Sequence, residues 1–230
     1  SFYPAHHITM GEGGAIVTNN SLIHKSIRRF RDWGRDCWCK TGMDNTCNRR
    51  FNWKLGELPF GYDHKYIYSE VGYNLKLTDF QAAIGLAQLK RLPKFIKKRQ
   101  KNYIFLFNFF SKLHKYFDLM ENNKKEEVSY FGFPIIVKPE SPFTRNELTE
   151  YLEKNKIGTR NVFAGNLLHH PAYLNRLSSF KLSGEMKESD LIMNNAFWIG
   201  VWPGIDKKRL LYIREIVNKF ISLVTLSKGI

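Results

Sequence analysis

Cys37, Cys39 and Cys47 are the only thiols in a chain of 230 residues, and all three fall within one eleven-residue window. An odd number of cysteines in one loop does not build a disulfide framework. Cys37-Trp-Cys39 is too tightly spaced for a zinc knuckle, whose paired cysteines normally have two to four residues between them. Three thiolates suit a soft metal or an iron–sulfur cluster that takes its fourth ligand from elsewhere. Zinc and three inert thiols are the alternatives, and no histidine within the window completes a site, although His64 is near in sequence. A second group that could do chemistry opens the chain, where Ser1, Tyr3, His6 and His7 precede Gly11-Glu-Gly-Gly14. An imidazole beside a glycine-rich turn can carry protons near neutral pH.

These residues need elements to position them. Gly13-Gly-Ala-Ile-Val-Thr18 reads as a short buried strand and Asn19-Asn20 as a turn. Ser21 is expected to cap a helix through Ile23, Ile27 and Phe30 that Gly34 stops. Residues 35–73 follow neither the helical nor the strand period, so they read as a long loop, and loops of this length inside a compact domain are usually functional. Thr78 caps a helix over Asp79–Leu89 whose small residues suit close packing, and Pro93 marks the start of a basic helix. From Val128 onward strands and helices alternate. Phe131–Val137 and Phe197–Gly200 read as strands, Thr144 with Glu147 as a capping box, and Asp206 as the cap of a final amphipathic helix. The expected organisation is α/β. Residues 1–92 end a large domain carrying the 35–73 loop, 93–127 form a long connecting helix, and 128–230 form a small α+β domain.

Composition narrows the function. The formal charge is +15, and aromatic residues make up 15% of the chain, which excludes intrinsic disorder as the main reading. Eleven basic residues lie between Lys90 and Lys125 against only Asp118 and Glu121. That pattern fits a basic nucleic-acid-binding protein with a zinc loop, but equally the solvated face of a surface helix, and no nucleic-acid module accompanies it. The most apolar run, Tyr103–Phe110, is too short to span a membrane, and no leader is present, so a cytoplasmic location is expected.

Ser1-Phe-Tyr-Pro-Ala-His6-His7-Ile-Thr-Met-Gly-Glu-Gly-Gly14 resembles the cofactor-lysine segment of the DegT/DnrJ/EryC1/StrS family of pyridoxal-phosphate-dependent sugar aminotransferases. The resemblance implies the C-terminal part of a fold-type-I transferase, with the chain expected to be a fragment of a longer enzyme. It gives Ser1 the role of holding the cofactor phosphate, and it places His6 where the family has its Schiff-base lysine. Without that ε-amino group the cofactor is held non-covalently, as pyridoxamine phosphate (PMP). Ordinary transamination is lost and proton abstraction at the cofactor C4′ is kept.

Asp32-Trp-Gly-Arg-Asp-Cys-Trp-Cys39, Leu58-Pro-Phe-Gly-Tyr-Asp-His-Lys65, Gly72-Tyr-Asn-Leu-Lys76 and Thr159-Arg-Asn-Val-Phe-Ala-Gly-Asn166 extend the likeness to the branch that dehydrates CDP-4-keto-6-deoxy-D-glucose at C3, on the way to the 3,6-dideoxyhexoses of lipopolysaccharide O-antigens. That branch implies a 2Fe-2S cluster on Cys37, Cys39 and Cys47, with its fourth cysteine outside this chain and its electrons drawn from a flavin and iron–sulfur NAD(P)H reductase. His6 is then the base, with His7 the less favoured candidate, and Tyr3 lines the site. Asn74 reaches the cofactor phosphate of a neighbouring subunit, which implies a homodimer. Phe131 replaces a histidine common in transaminating relatives, and Arg160 is a candidate for the nucleotide phosphates. His169 and His170 match no role and are expected at the surface. A cluster-free, glutamate-dependent 3-dehydratase or a sugar aminotransferase of the same family is the alternative.

Overall fold

The computed structural model describes all residues except 41, 122–124, 177–178 and 230. The chain divides into two compact units, Ser1–Lys90 and Arg91–Ile230.

The first unit has little regular structure. Helix α1 (Ser21–Arg31) is capped by Asn20 rather than Ser21: the Asn20 side chain accepts hydrogen bonds from the amides of Leu22 and Ile23. Asn at this position leaves Ser21 free to become the first helical residue. The helix ends where Trp33 takes φ +61° and the Gly34 amide bonds back to the Arg29 carbonyl at 2.7 Å. Such a left-handed closure satisfies carbonyls that the helix leaves open. Gly34 sits at φ +82°, and a Cβ there would lie 1.8 Å from the Glu70 carbonyl oxygen, so only glycine lets the 69–75 segment pass. Helix α2 (Asp79–Leu89) begins with a full Thr78/Gln81 capping box. The described residues of the 35–73 segment are irregular apart from a one-turn 3-10 helix at His64–Tyr66 and an isolated bridge between Arg35 and Tyr68.

The strand expected at 13–18 does not form. Ile16 and Val17 are 73% and 92% exposed. A strand needs a neighbour to satisfy its amides and carbonyls, and none of the described strands runs beside this segment.

The second unit has the dense core. Helix α3 (Leu92–Phe110) starts with proline in its first turn and carries the lysines on its outer faces. It ends at Phe110 instead of continuing to 127, because Tyr116 and Phe117 turn into the core and strand β1 (Phe117–Asp118) pairs with β2 (Gly132–Val137). Helix α4 (Arg145–Lys154), strand β3 (Thr159–Asn161), the short helix α5 (Pro171–Leu174), helix α6 (Lys187–Asn195), strand β4 (Ala196–Gly200) and helix α7 (Lys207–Lys228) follow. The sheet order is β1-β2-β4-β3, antiparallel throughout. Strand β2 alternates strictly, so Phe133, Ile135 and Val137 point inward, and β4 sets Ile199 and Phe197 opposite the first two. Tyr103, Leu106 and Phe110 of α3, Leu148 and Leu152 of α4, and Ile213, Val217 and Phe220 of α7 close the same core. No helix among the described residues is long and apolar enough to cross a membrane.

Candidate functional site

The opening loop is closed by backbone bonds before any side chain acts. The Phe2 amide donates to the Gly13 carbonyl at 2.9 Å, and the Met10 amide donates back to Phe2 at 3.1 Å. Met10 and Ile8 are the loop's buried anchors. Gly13 is required here: φ is +150°, and an added Cβ would meet Met10 Sδ at 2.8 Å. Within the loop, Tyr3-Pro-Ala-His6 makes a turn in which the His6 amide donates to the Tyr3 carbonyl at 2.9 Å, with proline where a turn favours it. That turn sets the Tyr3 and His6 rings edge to face, 6.1 Å apart and 85° to one another. Tyr3 is exposed and His6 half-buried, so the pair faces outward as a site rather than inward as core.

Ser1 faces a cavity of about 870 Å³ with Gly13, Gly14, Leu75 and Lys76 on its walls. A hydroxyl and glycine backbone suit a phosphate monoester, so Ser1, Gly13 and Gly14 fit the phosphate of a pyridoxal-type cofactor, while the Lys76 ammonium is turned to other partners. Lys76 is held over the Trp33 ring at 3.3 Å, with Asn74 Oδ1 at 2.9 Å and Asp32 Oδ1 at 3.4 Å. Burial pushes the Asp32 carboxyl up, but Arg31 and Lys76 outweigh it and hold the group below its ordinary value. Asn74 is exposed on its bridge to Asp32 and does not line the Ser1 cavity.

The three cysteines are free thiols that line one cavity of about 210 Å³. Cys37 and Cys47 both hydrogen-bond toward Cys39. Burial raises the Cys39 thiol, but bonds from Thr46, Cys47 and Cys37 bring it down to about 7. Cys37 and Cys47 are pushed up, by burial first. Among the described residues, no three His, Cys, Asp or Glu side chains close around a single metal ion. A binuclear cluster places two ligands on each iron, so its thiolates need not meet at one point, and three adjacent thiols on one cavity fit it.

The sequence marked His64 as near the thiols but not the buried cluster to which it belongs. His64 is 1% exposed and Asp36 4%. The Nδ1 atom of His64 is 3.6 Å from Cys47 Sγ, and its Nε2 is 3.1 Å from Asp36 Oδ2. Asp36 also pairs with Arg29 and accepts from Ser69 Oγ at 3.0 Å. The 3-10 turn that presents His64 is capped by Asp63, which also binds Arg50 at 3.0 Å. Only the Asp-His pair in the Leu58–Lys65 motif signalled it, because the contact spans seventeen residues.

Phe131 and Arg160 lie in the second unit. Phe131 packs on Trp198 at 4.9 Å between ring centres, with Phe163 at 6.2 Å. Arg160 stands opposite Trp198 in the sheet, largely exposed, with Nη1 2.6 Å from its neighbour's carbonyl and 3.9 Å from Glu153. The structure thus brings together Tyr3 with His6, the three thiols with His64, and Phe131 with the sheet face that carries Arg160. His169 is exposed on Asp190, whereas His170 is partly buried with Nε2 2.8 Å from the Ala164 carbonyl.

The solved structure of Escherichia coli GDP-4-keto-6-deoxy-D-mannose-3-dehydratase with bound hydrated PLP superposes with a TM-score of 0.73 at 27% identity, covering 94% of this chain and 52% of that one. The fold is therefore part of a pyridoxal-phosphate-dependent aminotransferase fold. Residues 1–218 match the DegT/DnrJ/EryC1/StrS aminotransferase family, and the chain belongs to it. It is 49% identical to the lipopolysaccharide biosynthesis protein RfbH of Salmonella typhimurium over 97% of this chain and 51% of that protein. It is 43% identical to the dTDP-4-dehydro-2,6-dideoxy-D-glucose 3-dehydratase of Saccharopolyspora spinosa over 96% of this chain and 47% of that protein. The chain spans about half the length of the curated relatives it matches.

Proposed function

We propose that this chain is part of a PMP-dependent nucleotide-sugar 3-dehydratase that acts on CDP-4-keto-6-deoxy-D-glucose in 3,6-dideoxyhexose and lipopolysaccharide biosynthesis. The single observation that carries this reading is His6, held in a closed turn beside Tyr3 at the position where aminotransferases of the family carry lysine. The match to RfbH over almost the whole chain supports the pathway.

When bound, PMP supplies the amino group that joins the 4-keto sugar and the π-system that stabilises charge as the C3 hydroxyl leaves. Ser1, with the Gly13–Gly14 backbone of its cavity, binds the phosphate. His6 has no amine with which to capture the cofactor, so its imidazole is left to move the proton at C4′. Tyr3, edge-on to that imidazole, fixes its plane and shields it from water. Arg160 offers its guanidinium to the nucleotide phosphates. Cys37, Cys39 and Cys47 would hold a 2Fe-2S cluster, which supplies one-electron transfer, and a flavin and iron–sulfur reductase is the matching donor. The working enzyme in this reading is a cytoplasmic homodimer.

Replacing His6 by Asn in the full-length protein tests the assignment. C3 deoxygenation is expected to fall by about 10²- to 10⁴-fold, while PMP affinity changes no more than a few-fold. Near-normal turnover in His6→Asn would show that another group moves the proton.

A further inference from the structure

Among the described groups, the most deeply buried charged cluster is one that the proposed chemistry does not use. Asp36 and His64 are both almost wholly buried, and Arg29 and Ser69 bind the second oxygen of the same carboxylate. With both Asp36 oxygens engaged, the carboxylate is fixed, and it takes His64 Nε2 at 3.1 Å. The ring is gripped on two sides as well, edge to face with Trp53 at 4.3 Å and Trp38 at 5.0 Å. The His64 amide is tied to the Arg50 carbonyl at 2.8 Å. Every freedom of the imidazole is used up, and the one ring nitrogen left over, Nδ1, points at Cys47 Sγ.

We propose that His64 is a positioning residue for the thiol site: Asp36 fixes the imidazole, and the imidazole fixes the sulfur of Cys47 at the cavity it shares with Cys37 and Cys39. The ligand class is a thiophilic centre of more than one metal ion, because no three of the described His, Cys, Asp or Glu side chains close around a single ion. Residues that orient a metal's own ligands typically change affinity about 10- to 100-fold when lost. The identity of that centre as a cluster rests on the reading above, whereas the positioning role does not.

The two ring nitrogens can be separated by substitution. Gln at 64 carries an amide nitrogen near the place of Nε2, so His64→Gln keeps the Asp36 link and loses the sulfur contact. Asn places its amide near Nδ1, so His64→Asn keeps the sulfur contact and loses Asp36. Cd²⁺ is titrated into the reduced, metal-free full-length protein, and the thiolate-to-metal charge-transfer absorbance is followed. His64→Gln is expected to weaken Cd²⁺ binding about 10- to 100-fold, and Cys47→Ser at least as much. His64→Asn should recover part of the loss, with melting temperatures of His64→Gln and wild type alike. Cd²⁺ binding by His64→Gln equal to wild type, or a loss that merely follows melting temperature across the variants, overturns the proposal. Reconstitution with iron and sulfide then separates the two readings. A colourless wild type whose Cd²⁺ affinity still depends on His64 removes the cluster and leaves the positioning role standing. A coloured wild type whose cluster content and midpoint potential are unmoved by His64→Gln does the reverse.

Discussion

At the residue scale the thiols are not equivalent, and their differences follow from neighbours rather than from exposure alone. Cys39 is the shared acceptor of the group: Thr46, Cys47 and Cys37 all donate toward it, and together they overcome the burial that would raise its pKa. Its folded value of about 7 lies below the ordinary thiol value of 9.0, so the thiolate forms as pH rises through about 7. Cys37 and Cys47 move the other way and stay protonated there. Since the thiolate is the nucleophile, iodoacetamide at pH 7.5 is expected to label Cys39 first in metal-free protein. Its rate should climb between about pH 6 and 8 and then level off, read by mass spectrometry of the peptide holding residues 37–47. Equal labelling of all three cysteines would contradict this order. The spacing of the thiols was legible in the sequence, but their hierarchy was not, because it depends on which sulfur lies between the other two.

At the element scale, local signals carried furthest where a side chain bonds its own backbone. The Thr78 and Thr144 capping boxes, the Asp206 cap and the proline opening α3 all form as their residues dictate, since each is decided within four positions. Elements that need a distant partner were less legible: α3 stops at Phe110 because β1 must reach β2, and 13–18 stays unpaired because no strand meets it. The Thr144 box gives a measurable consequence. Glu147 Oε2 accepts the Thr144 amide at 2.6 Å, and Thr144 Oγ1 accepts the Glu147 amide at 3.2 Å. The first of these bonds is the main cause that lowers the Glu147 pKa and survives loss of the Thr144 side chain; the bond that Thr144 Oγ1 donates to Oε2 at 2.9 Å lowers it further and does not survive. A lowered carboxyl pKa contributes stability that is complete above the unfolded value, about 4.3, and is lost as pH falls through the folded one. Thr144→Ala should therefore cost about 1 kcal/mol at pH 7, measured by urea unfolding, and the gap to wild type should narrow below about pH 4. A gap that widens in acid would mean that Glu147 is not the partner.

At the scale of the whole molecule the two units differ in what holds them. Of the buried apolar residues described, twenty-one lie in the second unit, and only Ile8, Met10 and Ile67 lie in the first. In the first unit Val17, Val71 and Phe80 are at 85% exposure or more within this chain, which spans about half the length of the relatives it matches. Apolar surface left in water contributes nothing to stability, while a core as large as that of the second unit offsets the entropy of ordering its chain. The +15 charge has the same uneven meaning, since the lysines of α3 stand outside a core that is complete without them. Residues 91–230 produced as a separate fragment should accordingly fold, with one cooperative urea transition. Residues 1–90 alone should bind a hydrophobic dye and unfold without a sharp midpoint. A cooperative transition in the 1–90 fragment would show that its hydrogen-bonded loop, rather than apolar burial, is enough to define a stable unit. In that case the buried Asp36–His64 pair would be the first contact to remove in search of the cause.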